Sequence, residues 1–189
     1  MLTYRDKSVL SEGCPIFYNT SKFELIDKGS FWLSETPDEV SKDWGAAFCR
    51  VCSYVLLKQL STGKELAVFN THLDHVSENA RINGIKLILE RLEAFGGYPC
   101  VIMGDFNCYE SSETYKSATS LFDDAKYKAP VTETGATYQN FGRSLNNENL
   151  DYFMVSKTGI EVLEYKIVDT VYNGVYPSDH YPVVLRISV

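Results

Sequence analysis

The chain predicts a mixed α/β fold in which two β-sheets pack face to face with helices outside. Three observations carry this expectation. Eight apolar runs rich in β-branched and aromatic residues have the length of strands. Only two segments show helical spacing, and the strands follow one another more as hairpins than as βαβ units. The strand candidates are Cys14–Asn19, Phe23–Leu33, Phe48–Lys58, Leu66–Thr71, Cys100–Met103, Leu150–Val155, Ile160–Asp169 and Val183–Ile187. Val51–Leu57 and Leu66–Phe69 flank Ser61-Thr62-Gly63-Lys64, a Gly-bearing turn that predicts an antiparallel hairpin.

The clearer helix runs from Glu78 to Ala94. Ile85, Ile88, Leu89 and Leu92 recur at helical spacing, with Lys86, Glu90, Arg91 and Glu93 on the opposite side. Phe95-Gly96-Gly97-Tyr98-Pro99 ends it, glycine first and proline after. A shorter helix is expected over Glu113–Leu121 with Ser111 or Ser112 as its N-cap. Residues 127–149 are polar and rich in Asn, Thr and Gly, which reads as a long functional loop.

At 189 residues the chain fits one domain spanning its whole length. Apolar content of 44% and charged content of 23% are those of an ordinary globular protein, and 13 Tyr with 10 Phe suit a β-rich core. No run approaches the ~18 apolar residues of a membrane span. The first seven residues are polar and carry no signal-peptide pattern, which leaves location open between cytoplasm and exterior. A net charge of −7 without a basic run argues against strong non-specific DNA binding, since that rests on Lys and Arg neutralising phosphates. A phosphorylated small molecule, or a nucleotide or nucleic-acid phosphoester drawn in by a bound cation, remains compatible. The five cysteines include Cys49-Arg50-Val51-Cys52, but no second pair stands at zinc spacing. A strand would turn Cys49 and Cys52 to opposite faces, so buried free thiols are expected.

Four segments carry the chemistry, and each closes or follows an apolar run. In Gly104-Asp105-Phe106-Asn107, Asp105 and Asn107 stand two apart, on one side of an extended chain. A carboxylate and an amide there can hold a divalent cation, a water or a phosphoryl oxygen; the alternative is a turn bonding its own backbone. In Ser178-Asp179-His180, the imidazole suits a general base near neutral pH and the carboxylate suits a metal. Asp151, opening the run Leu150–Val155, needs a partner for its charge, and an imidazole N–H would serve. In Asn70-Thr71-His72-Leu73-Asp74-His75, His72 can donate to a phosphate oxygen as charge develops, whereas Asp74 and His75 are weaker candidates.

Taken in order, these segments resemble the endonuclease/exonuclease/phosphatase superfamily, whose members carry N-x-H-L, G-D-F-N, L/I-D-Y-F/I and S-D-H. Phe31-Trp32-Leu33-Ser34-Glu35-Thr36-Pro37 and Cys14-Pro15-Ile16-Phe17-Tyr18 are similar to a bacterial-type branch. The resemblance implies a deoxyribonuclease I-like, four-layer α/β/β/α sandwich and a metal-dependent hydrolysis of a phosphomonoester or phosphodiester. It implies His180 as the base that activates water and Asp151 as its orienter. Asp105 and Asn107 would position nucleophile and phosphoryl group, and His72 would bind a phosphoryl oxygen. Asp179, with Asp105 and Asn107, would form the metal site, holding Mg²⁺ with Mn²⁺ as the alternative.

The chain also departs from that family, whose members begin with an Asn-bearing strand and a strand ending in a Gln-Glu pair. That Glu is the principal metal ligand. Nothing before Cys14 matches, and Glu12 instead resembles a later family glutamate that faces substrate. The expectation is a domain lacking its N-terminal strands, either cut from a longer chain, read from a fragmentary gene or completed by another chain, with weak metal binding and poor activity for these 189 residues alone. Arg50 and Arg81 are candidates for phosphate contact, Arg81 with a surface ion pair as its alternative. Trp44, in a polar loop beside Gly45, is a candidate for stacking, whereas Trp32 suits the core. The competing reading is a catalytically impaired or non-catalytic binding module on the same fold.

Overall fold

The computed structural model describes residues 2–8, 11–133, 135–144 and 149–189. Alternation of apolar and polar side chains drives β1 (Phe23–Trp32), β2 (Val51–Gln59) and β3 (Glu65–His72) into an antiparallel meander, with the expected hairpin between β2 and β3. A parallel neighbour needs a crossover, and α1 (Glu78–Ala94) supplies it, delivering β4 (Cys100–Asp105) parallel to β3. The chain continues through α2 (Glu113–Leu121), β5 (Phe122–Asp124), α3 (Ala125–Lys128) and β6 (Asp151–Ser156). The six-stranded sheet has the order β1-β2-β3-β4-β6-β5, and β7 (Glu161–Ile167) and β8 (Val183–Ser188) form a second, two-stranded sheet.

Side-chain alternation along β3, β4 and β6 divides the core. Phe69, Cys100, Ile102, Tyr152 and Met154 face Ile85 and Ile88 of α1. Val101, Met103, Phe153 and Val155 face Val162, Tyr165 and Ile167 of the second sheet. Helix α1 starts where Ser77 accepts the Ala80 N–H, and α2 where Ser112 accepts the Tyr115 N–H.

Some expectations fail for physical reasons. Cys14–Asn19 does not form a strand: Pro15 offers no N–H, and the segment is tied to β3 by the Asn70 side chain, whose Nδ2 donates to the Pro15 carbonyl at 2.9 Å. Cys49 precedes β2 and is only partly buried, so the opposite-faces argument applies to Cys52 alone; all five cysteines are free. Burial pushes the Cys14 thiol up to about 12 and the Cys108 thiol up to about 11, which makes both poor nucleophiles. The short elements β5 and α3 had no legible pattern. Of the 127–149 stretch, Thr134 and residues 145–148 lie outside the described residues; the rest is irregular after α3 and touches the body through Thr132–Tyr165 and Tyr138–His180 bridges.

One register positions the chemistry. His72 ends β3 opposite Asp105 at the end of β4, and Asp105 lies opposite Asp151 at the start of β6. Gly104, one residue before Asp105, makes this possible: its φ is +135°, and a Cβ there would sit 1.8 Å from the Thr71 carbonyl oxygen. Gly104→Ala should therefore lower the unfolding free energy by at least ~2 kcal/mol, read as a lower urea midpoint. An unchanged midpoint would show that the β3–β4 ladder opens there without cost.

Candidate active site

The ends of β3, β4 and β6 border an open cleft of about 480 Å³. Asp151, at the start of β6, bonds His180 Nδ1 through Oδ2 at 2.7 Å. A carboxylate accepts, so Nδ1 carries the proton and Nε2 keeps its lone pair toward the cleft, 3.9 Å from Asp105 Oδ2. Burial disfavours the imidazolium, but the Asp151 hydrogen bond and the carboxylates of Asp151, Asp105 and Asp179 outweigh it and hold the His180 pKa above its ordinary value. His180 reaches the cleft on a loop held by the 137–140 segment. The Gln139 N–H donates to the Asp179 carbonyl, Gln139 Nε2 to the Ser178 carbonyl, and the Tyr181 N–H to the Thr137 carbonyl. Thr137 Oγ1 in turn accepts the N–H groups of Leu150 and Asp151, tying both halves of the dyad to one residue.

His72 Nε2 lies 3.2 Å from Asp105 Oδ2, and its Nδ1 lies 3.6 Å from Glu12 Oε2. Glu12 is also paired with Arg5. Asp105 and Asn107 do not share a side by extension. Asn107 has φ of 47°, and its N–H donates to Asp105 Oδ1 in a tight turn. The turn still leaves Asp105 Oδ2 facing the imidazoles. Asn107 Nδ2 donates to the Leu73 carbonyl at 3.1 Å, so the amide oxygen is left for a ligand.

His180, Asp105, Asn107, His72, Glu12 and Asp179 thus border one cleft, with Asp151 behind His180. Arg50 reaches its wall but is only 4% exposed, paired with Asp74 at 3.6 Å. Arg81 and Trp44 are not brought there. Arg81 Nη1 donates to the Asp74 carbonyl, and the Trp44 carbonyl accepts from Ser77 Oγ at the start of α1. Sequence reasoning missed Arg5, Phe48 and Tyr138 at the cleft and the holding role of Thr137 and Gln139. Nothing in their local pattern marks them, because their roles depend on chain reversals far away.

Four carboxylates, of Glu12, Asp105, Asp151 and Asp179, gather at or behind the cleft. Asp151 is committed to His180 and Glu12 to Arg5. Asp105 Oδ2, the Asn107 amide oxygen and Asp179 remain. Among the described residues, no group of three or more His, Cys, Asp and Glu side chains is placed to hold a metal ion. The remaining oxygens are hard donors and fit a cation such as Mg²⁺, which keeps several waters and uses one or two carboxylates.

Asp74 is structural. It is 2% exposed and accepts the N–H groups of Ala47, Val76 and Ser77 at 2.9 to 3.0 Å. Burial works against its charge, but the N–H groups of Ser77, Val76 and Phe48 and the Arg50 guanidinium hold its carboxyl below the usual range.

The sequence model of the Endonuclease/Exonuclease/phosphatase family matches residues 16–180. An endonuclease/exonuclease/phosphatase structure from Bacteroides vulgatus is 32% identical with a TM-score of 0.93, covering 100% of this chain and 75% of that one. A mannosyl-6-phosphatase from Bacteroides thetaiotaomicron is 30% identical with a TM-score of 0.86, covering 100% and 76%. The CCR4-Not complex 3'-5'-exoribonuclease subunit Ccr4 of Yarrowia lipolytica is 26% identical over 166 residues, 69% of this chain and 23% of its own length. The chain spans about a quarter of the length of the curated relatives it matches.

Because the Asp74 carboxylate is depressed, its stabilising contribution is present above the ordinary carboxylate pKa and is lost as pH falls through the folded value. Asp74→Asn, which leaves Arg50 buried without its counter-charge, should cost about 3 kcal/mol at pH 7 and flatten the acid loss of stability. Urea midpoints measured from pH 7 to pH 3 test both; equal slopes for the two proteins would contradict the assignment.

Proposed function

The chain belongs to the endonuclease/exonuclease/phosphatase family, and on that premise we propose that it is a divalent-metal-dependent phosphoesterase in which His180 activates the attacking water. The observation that carries the reading is the 2.7 Å contact of His180 Nδ1 with Asp151. It leaves Nε2 as the free lone pair over the cleft, where it takes a proton from water. Asp151 holds the tautomer and stabilises the imidazolium that forms. His72 stands in the cleft with Asp105 Oδ2 3.2 Å from Nε2 and Glu12 Oε2 3.6 Å from Nδ1, and a ring N–H there suits a donor to a phosphoryl oxygen. Asp105 stands between the two imidazoles, where it orients the water before attack.

Asp105, Asn107 and Asp179 are the residues that would hold Mg²⁺ or Mn²⁺, and Glu12 lies beside them toward substrate. The cation would neutralise charge on the phosphoryl group as it is attacked. Phosphatase and exoribonuclease relatives share the class of reaction, hydrolysis of a phosphoester. The competing non-catalytic reading draws on the lack of a three-ligand cluster among the described residues.

Phosphate release from p-nitrophenyl phosphate and mannose 6-phosphate decides between them. The expected result is turnover that EDTA abolishes and Mg²⁺ or Mn²⁺ restores. His180→Ala should then lower kcat by about 10²–10⁴-fold. A His180→Ala protein within tenfold of the parent rate would remove this residue from the mechanism.

A further inference from the structure

His75 plays no part in the reaction as described, yet it stands in the same cleft and is held by an unusual partner. Arg50 Nη2 lies 3.1 Å from His75 Nδ1. A guanidinium has donors only, so Nδ1 must be the acceptor and the ring carries its single proton on Nε2. Arg50 is fixed in turn: it is 4% exposed, paired with Asp74 and packed 5.8 Å from the centre of the Phe48 ring. The His75 ring is exposed and stacks on Phe48 at 5.6 Å and 21°. Among the described residues Nε2 has no hydrogen-bond partner. The wall therefore offers a flat ring carrying one fixed neutral donor.

The charges on this wall are already matched. Arg5 lies 4.6 Å over Phe48 and is paired with Glu12, and Arg50 is paired with Asp74. Among the described residues each guanidinium on this wall has a carboxylate counter-charge, and Arg5 Nε, Arg50 Nε and Arg50 Nη1, which make no hydrogen bond, are buried away from the cleft surface; the wall therefore offers less free positive charge than recognition of a polyanion uses. A neutral ring with hydroxyl groups fits instead, lying at the edge of the imidazole with a hydroxyl oxygen in its plane accepting from Nε2–H. Resting on the phosphoesterase reading above, we infer that His75 is a specificity residue that binds the leaving group, and that this group is an uncharged hydroxylated ring of the sugar type.

The test uses mannose 6-phosphate, with p-nitrophenyl phosphate as an ester whose leaving group has no such hydroxyls. His75→Phe keeps the stack on Phe48 and removes the donor. It should raise KM for mannose 6-phosphate and lower the kcat/KM ratio of the sugar ester to the aryl ester about tenfold. Equal losses on both esters, or none on either, would overturn the inference. A second readout does not need turnover. The chain has three histidines, so imidazole ¹⁵N resonances are few enough to assign. His75 should show protonation on Nε2, and that resonance should move when mannose 6-phosphate is added. A ring protonated on Nδ1, or an Nε2 resonance that ignores the sugar phosphate, would sink the inference on its own. Absence of turnover with a moving Nε2 resonance would instead count against the phosphoesterase reading alone.

Discussion

Everything in the cleft depends on the register of β3, β4 and β6. Neighbouring strands lie ~4.8 Å apart, so residues at matched positions on three adjacent strands stand within side-chain reach of one another. Here the matched positions are His72, Asp105 and Asp151. A slip of one residue would turn each of these side chains to the opposite face. The apolar alternation of the same strands prevents it, because Phe69, Ile102 and Met154 would leave the helix-covered face together. Core packing thus sets the geometry of the cleft, and Gly104 is where the two demands meet: the close approach to Thr71 forbids a side chain one residue before Asp105.

The carboxylates near the cleft differ in how many oxygens their neighbours have already taken. Asp74 spends both on backbone N–H groups and Arg50, so it fastens the start of α1 and the 47–48 segment. Asp151 gives one to His180. Asp105 gives Oδ1 to its own turn and turns Oδ2 to the imidazoles. This sorting, more than charge alone, separates an acid that supports the fold from one available to a cation or water.

Much of this was legible from local pattern. The strand ends, both helices and the four motif segments follow from period and from where apolar runs stop. Properties set by distant partners were not legible. Cys14–Asn19 has strand composition, but a strand also needs a neighbour with free N–H and C=O groups. Arg50 borders the cleft, but nothing in its local pattern shows that Asp74, 24 residues on, supplies its counter-charge. Trp44 lies in a polar loop as a stacking residue would, but its backbone conformation, φ 57°, serves the cap of α1. Thr137 and Gln139 sit in a stretch that reads as plain loop, and only the folded chain brings them under His180.

The three histidines show how one side chain takes different roles in a single cleft. His180 faces a carboxylate through Nδ1, so its other nitrogen is an acceptor and can receive a proton. His75 faces a guanidinium through Nδ1, so its other nitrogen is a donor and can bind an oxygen. His72 lies between Glu12 and Asp105, with a carboxylate oxygen within 3.6 Å of each ring nitrogen, so its surroundings do not single out one tautomer. For His180 and His75 the charge of the partner sets the polarity of the face turned to the cleft. Asp151 and Arg50 thus set which ring nitrogen carries the proton. Two of the three imidazoles therefore have their tautomers imposed by a partner, and exchanging those partners would reverse which nitrogen faces the cleft with a lone pair and which with an N–H.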